Sequence, residues 1–133
     1  MIVCLDTNIV IYLVEANPSW TPKAAARLGV LRAAGDDIAV CDAARLECLV
    51  QPRVTGNTVA ETAYQAFFSS PAVRMLPVTP STWDHAARIA AAFRLKGLDS
   101  VHLAAAVENG CRLFLTSDAQ LARCTVLPIE VLT

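Results

Sequence analysis

None of the five glycines in this 133-residue chain belongs to a G-x-x-x-x-G-K or G-x-G-x-x-G signature, which excludes the phosphate-cradling loops of nucleotide-binding folds. Lysine is scarce: Lys23 and Lys96 are the only two, and neither stands at the end of a strand-like run. The five cysteines (Cys4, Cys41, Cys48, Cys111 and Cys124) are odd in number and contain no C-x-x-C pair. They read as core thiols in a reducing compartment, and together with the lack of a histidine pair they argue against zinc. No sign of charge dominates, because 11 basic and 12 acidic residues give a net charge of −1. A nucleic-acid role must therefore be local. Long apolar runs are also missing: IVIYLV (9–14) falls far short of the ~20 residues that span a bilayer, and the N-terminus lacks the order of a signal peptide. A cytoplasmic protein without a membrane segment is expected.

What the chain does have is apolar sequence in short pieces. It is 55% hydrophobic with a mean hydropathy of +0.46, enough for one domain over residues 1–133 with a real core and no disulfide or metal staples. Runs of strand length occur at 2–5 (IVCL), 38–41 (IAVC), 73–78 (VRMLPV), 112–115 (RLFL) and 126–131 (VLPIEV), the last marked as an edge by Pro128. Ala-rich stretches with helical spacing separate them. Ser19 is positioned to cap a helix reaching Ala34, Asn57 another reaching Phe68, and Thr79-Pro80 a third closed by Gly97. A further helix fits 99–109. This alternation predicts an α/β fold with a mostly parallel central sheet flanked by helices, in which ligands bind beyond the carboxyl ends of the strands.

The acids fall where such a fold does chemistry. Asp6 ends the first strand in VCLDTN, and Asp118 follows RLFL in FLTSDAQL. Asp99 begins a helix after a glycine turn in KGLDSVHLAAAVENG. Glu47, in CDAARLECLV, lies among apolar helix residues, with Ala43 one turn before it and Val50 almost one turn after, where a carboxylate needs a partner. Each acid also has a plain structural reading: helix caps for Asp42 and Asp99, turn formation for Asp118, an Asx turn for Asp6. Several carboxylates at one strand edge repel unless a cation intervenes, and an all-oxygen set suits Mg²⁺ or Mn²⁺. Phosphoryl hydrolysis by cation-activated water is the chemistry that follows.

LDTNIVIYLVE, the glutamate after the second strand, GLDSVHLAAAVENG and LFLTSDAQL together resemble the PIN domain, and within it the VapC-like toxin ribonucleases of toxin–antitoxin pairs. The ordered match runs from Asp6 to about Leu121. The resemblance implies a PIN-like three-layer fold and a metal-dependent endoribonuclease held inactive by an antitoxin. Its acidic quartet falls on Asp6, Glu47, Asp99 and Asp118, as catalytic residues and as ligands of Mg²⁺ or Mn²⁺, and its hydroxyl residue falls on Thr116. Together with the apolar content it also implies a homodimer with apolar grooves near the N-terminus for an antitoxin peptide, from which an arginine side chain reaches the acids.

Asp42 and Glu47 are five residues apart, about 140° around a helix, so they do not share a face; Glu47 is taken for the site and Asp42 for a cap. Asn8 is read as an amide bonding the loop, and Thr116, Asn8 and Ser117 as supporting the acids or touching substrate. His102 is read as a packed helix histidine. Arg45, Arg53, Arg94 and Lys96 are candidates for RNA phosphates, balanced against plain surface charge. Trp20 and Trp83 fit either core or interface. Two rival readings stand beside the nuclease. One is an inactive binding module of the same fold. The other is an aspartyl-phosphate phosphohydrolase, which wants a second aspartate where Asn8 stands.

Overall fold

A computed structural model describes all of residues 1–133. Five short strands, β1 (Ile2–Leu5), β2 (Asp37–Cys41), β3 (Val73–Leu76), β4 (Leu113–Thr116) and β5 (Ile129–Val131), form one wholly parallel sheet in the order β3-β2-β1-β4-β5. The helices are α1 (Thr7–Val14), α2 (Thr21–Ala33), α3 (Ala44–Thr55), α4 (Thr58–Ser69), α5 (Pro80–Phe93) and α6 (Asp99–Glu108), with a 3₁₀ turn at Ala119–Arg123.

Alternation along the strands divides the core in two. Val3 and Leu5 of β1, with Ile38 and Val40 of β2, face a cluster that includes Ile9, Leu31, Cys48 and Tyr64 from α1 to α4. Cys4, Ala39 and Cys41 face the opposite way, onto Ala86, Ile89 and Leu103 from α5 and α6. With both faces covered, the inner strands β1, β2 beyond Asp37 and β4 up to Thr116 are continuous apolar runs, as a buried parallel sheet requires, while the edge strands carry Arg74 and Glu130. All five cysteines are free and buried within these layers. No helix is long and apolar enough to cross a membrane.

The chain order reverses direction across the sheet between β1 and β4. Their carboxyl ends lie side by side and open the crevice in which α/β sheets bind ligands. Asp6 follows one of these ends and Asp118 the other.

Several boundaries differ from those expected. Ser19 is not the cap of α2; Asn17 shapes that turn, its side-chain oxygen accepting from the Ser19 and Trp20 amides, and the helix begins at Thr21. Helix α5 stops at Phe93, because Arg94 takes a left-handed conformation at φ 54° before Gly97 is reached. Arg123 braces this turn by donating to the carbonyls of Phe93 and Arg94 at 2.9 and 2.8 Å. Asn57 and Thr79 cap α4 and α5 as expected, the latter in a reciprocal arrangement with Thr82.

Candidate active site

Where β1 ends, the Asp6 amide still pairs with the Leu115 carbonyl of β4 at 2.8 Å, and the chain then turns directly into α1. The Asp6 carboxylate, only 5% exposed, accepts at Oδ1 from the Thr7 amide at 2.8 Å and thereby caps α1. Its Oδ2 accepts from the Thr116 hydroxyl at 2.7 Å and from the Asn8 amide at 3.3 Å. Burial pushes the Asp6 carboxyl above its ordinary range, and the His102 charge and these hydrogen bonds offset part of the rise.

Thr116, the last residue of β4, is fully buried, and its Oγ1 also accepts from the Asp118 amide at 3.0 Å. Asn8 ties the same segment from α1, its side-chain oxygen accepting from the Ser117 amide at 3.2 Å. Ser117 Oγ lies 3.2 Å from the Tyr12 hydroxyl. Asp118 caps the 3₁₀ turn through Oδ1, which accepts from the Gln120 amide at 2.9 Å.

Asp99 begins α6 but is not its cap; that position belongs to Leu98, and no side chain caps the helix. Burial first, then the charges of Asp6 and Asp118, raise the Asp99 carboxyl to about 6. Thr116 bonds both Asp6 and the Asp118 amide, so these acids and Asp99 occupy one region of the strand edge. Asp99 and Asp118 line a shallow cavity of about 110 Å³ rimmed by Arg94, Lys96 and Arg123.

Glu47 sits near the start of α3, and its Oε1 accepts from the Thr7 hydroxyl at 2.8 Å and meets His102 Nε2 at 2.5 Å. Burial opposes its ionisation, but the hydrogen bond and charge of His102 prevail and hold the carboxyl below its usual value. The apolar residues near it in sequence do not bury it, since Val50 is 49% exposed; its partners come from α1 and α6. His102 is wholly buried. Burial alone would lower its basicity, yet its contacts with Cys41 and Glu47 push it up to about 10. Its Nδ1 has no hydrogen-bond partner.

The remaining candidates divide. Arg94 and Lys96 stand at the acidic cavity. Arg45 and Arg53 line a different hollow with Leu46, Leu49 and Val50, where Arg45 pairs with Asp42 at 2.5 Å and Arg53 with Glu61 at 2.9 Å. Asp42 caps nothing: the residue at the start of α3 is Ala43, without a side-chain bond, and Asp42 is spent on Arg45. Sequence reasoning passed over Arg123, which carries no local signal, and Thr7. It also discounted His102, although a histidine in the unbroken apolar stretch VHLAAAV needs a buried partner.

Four carboxylates that load one strand edge with negative charge fit a hard cation by donor chemistry. Asp99 keeps both oxygens free of protein hydrogen bonds, whereas those of Asp6 are already engaged. In this arrangement no three of the histidine, cysteine, aspartate and glutamate side chains close tightly enough to enclose an ion.

A family model described as the PIN domain matches residues 3–127. Comparison with curated proteins finds no match. Among solved structures, VapBC2 of Rickettsia felis bound to a promoter DNA fragment superposes with a TM-score of 0.81 at 16% identity, over 100% of both chains. The DNA-bound VapBC of Salmonella typhimurium gives 0.78 at 15% identity, over 100% of this chain and 99% of that one. VapC20 of Mycobacterium tuberculosis, a toxin that cleaves the sarcin-ricin loop, gives 0.67 at 17% identity, over 84% and 86%. At these identities the likeness is one of fold.

Proposed function

The chain belongs to the PIN domain family, and from that premise we propose that it is a metal-dependent endoribonuclease, a single nuclease domain over residues 1–133, acting as the toxin of a toxin–antitoxin pair in the cytoplasm. The observation that supports this reading is that Thr116 at the end of β4 bonds both the Asp6 carboxylate and the Asp118 amide, while Asp118 and Asp99 line one cavity.

Asp6, Asp99 and Asp118, with Glu47 directly or through water, would hold Mg²⁺ or Mn²⁺, which when bound supplies charge neutralisation at phosphorus and activation of the attacking water. Asp6 is set in place by Thr7, Asn8 and Thr116. Asp118 is held through its amide by Thr116. Arg94 and Lys96, on the rim of the same cavity, would take the RNA phosphates and set the register of the strand. Arg45 and Arg53, each in an ion pair beside a separate hollow, are not assigned that task.

The binding-module reading draws on the capping bonds of Asp6 and Asp118. A cap does not need a charge, since Asn or Ser serves as well. Burying the Asp6 carboxylate against a raised pKa is a cost that capping alone does not explain.

VapBC complexes among the structural neighbours support an antitoxin as partner. We assign the antitoxin segment to the apolar groove of about 480 Å³ between α1, α2 and α4, lined by Leu13, Val14, Leu28 and Phe67. Exposed Leu46, Val50 and Trp83 on α3 and α5 are the surface for a second copy. Light scattering with and without a coexpressed antitoxin tests both assignments.

The nuclease itself is tested on RNA. EDTA abolishes cleavage, Mg²⁺ or Mn²⁺ restores it, and the products carry 5′-phosphate and 3′-hydroxyl ends. Unchanged cleavage in EDTA, or 2′,3′-cyclic phosphate ends, would overturn the mechanism, because cyclic ends mean that a ribose hydroxyl attacked in place of water.

A further inference from the structure

We propose that His102 is a positioning residue for Glu47: its Nε2–H fixes one oxygen of that carboxylate so that the other is presented to the metal-binding acids. The inference rests on the nuclease reading above and adds a residue to it.

Three helices meet at this point. Thr7 opens α1, Glu47 lies in α3 and His102 in α6. Helices α1 and α3 pack on one face of the sheet and α6 on the other, so side chains from α3 and α6 touch only beyond the strand ends. There Glu47 Oε1 receives two donors, Thr7 Oγ1 at 2.8 Å and His102 Nε2 at 2.5 Å. A carboxylate only accepts, so Nε2 must carry a proton and donate it to this bond. Thr7 Oγ1 stands 3.3 Å from the same nitrogen and closes the triangle. With Oε1 occupied twice, Glu47 is held against rotation, and its Oε2 has no protein partner.

An apolar side chain would fill the His102 site at less expense. The ring is wholly buried and leaves Nδ1 without a partner. What compensates is the bond made by Nε2, and its recipient is an acid whose charge is felt at both Asp6 and Asp99. Groups that orient a metal ligand from behind act in this way, and removing them typically weakens metal binding by about 10–100-fold.

The test is Mn²⁺ affinity, read as free Mn²⁺ by electron paramagnetic resonance on the full chain, with circular-dichroism melts as a fold control. His102→Leu should weaken binding about tenfold or more. His102→Gln, whose amide nitrogen reaches the Nε2 position, should recover most of it. Glu47→Gln should weaken binding too, and Glu47→Gln/His102→Leu should be no weaker than Glu47→Gln alone, because His102 acts through Glu47. If His102→Leu does not fold, Thr7→Val removes the other donor to Oε1, and its effect should likewise vanish in the Glu47→Gln background. Wild-type affinity in a folded His102→Leu protein, or effects that simply add, overturns this inference alone. A wild-type protein that binds no Mn²⁺ and cuts no RNA overturns the nuclease reading and this inference together.

Discussion

The Thr116 hydroxyl donates to Asp6 Oδ2 at 2.7 Å, so the end of β4 grips the acid that ends β1. The same oxygen accepts from the Asp118 amide, and one buried side chain thereby sets two of the acids. Thr116→Val keeps the shape and removes these two bonds together with the one donated by the Asn8 amide at 3.3 Å. Unfolding in urea should show a loss of about 1–3 kcal/mol, with the buried Asp6 carboxylate left short of a bond. RNA cleavage should fall by about tenfold or more, while Thr116→Ser should stay near wild type. Full cleavage by the valine variant would remove Thr116 from the site.

Asp99 offers a cleaner substitution than Asp6, because it makes no hydrogen bond to the protein and is repelled by Asp6 and Asp118. Asp99→Asn should raise the urea midpoint while cleavage falls by orders of magnitude. Opposite signs for stability and activity mark a residue retained for function. A less stable Asp99→Asn protein would contradict that repulsion.

Asp42→Asn is the control. Asp42 is exposed and its carboxylate holds only Arg45, so stability should stay within about 0.5 kcal/mol and cleavage should be intact. A large drop in cleavage would shift the role assigned to Glu47 onto Asp42.

Lys96 and Arg94 should be visible in the salt dependence of RNA binding, measured in EDTA with the Asp99→Asn protein so that nothing is cut. Replacing either by Gln should reduce the slope of log K against log salt by about 0.7, the share of one phosphate contact on a single strand. Arg45→Gln should leave the slope unchanged. Equal effects at all three positions would mean diffuse attraction in place of a defined rim.

Acid stability should depend on Asp36. Arg112 grips it with two bonds, at 2.8 and 2.5 Å, and holds its carboxyl below the ordinary range. A folded pKa below the unfolded one means that the unfolded chain binds more protons between the two values. The contribution is therefore complete above the unfolded carboxylate pKa and is lost as pH falls through the lowered one. Urea midpoints across the acid range should decline less steeply in Asp36→Asn than in wild type.

Most of the elements were legible because they are written locally. Short apolar runs bounded by turn residues marked the strands, although IVIYLV became helix α1; Asn57 and Thr79-Pro80 announce helix starts, and an acid within three residues of a strand run lies at a strand end whatever the strand order. Asp6 and Asp118 could be read in this way without knowledge of how the sheet is assembled. Less was legible in the middle of the chain. Asp42 looked like a cap, but capping depends on backbone angles that sequence does not display, and its carboxylate went to Arg45 instead.

What only the tertiary structure decided was which distant residues meet. Strand order β3-β2-β1-β4-β5 puts Thr116 beside Asp6 across 110 positions. It also lets His102 reach Glu47 across 55. The sequence placed His102 as a packed residue of a helix but could not reveal that its polar nitrogen has a carboxylate waiting beyond the strand ends. The physical reason is one of range: propensity, capping and alternation act over a few residues, whereas the partners of a buried charge are chosen by the packing of whole elements.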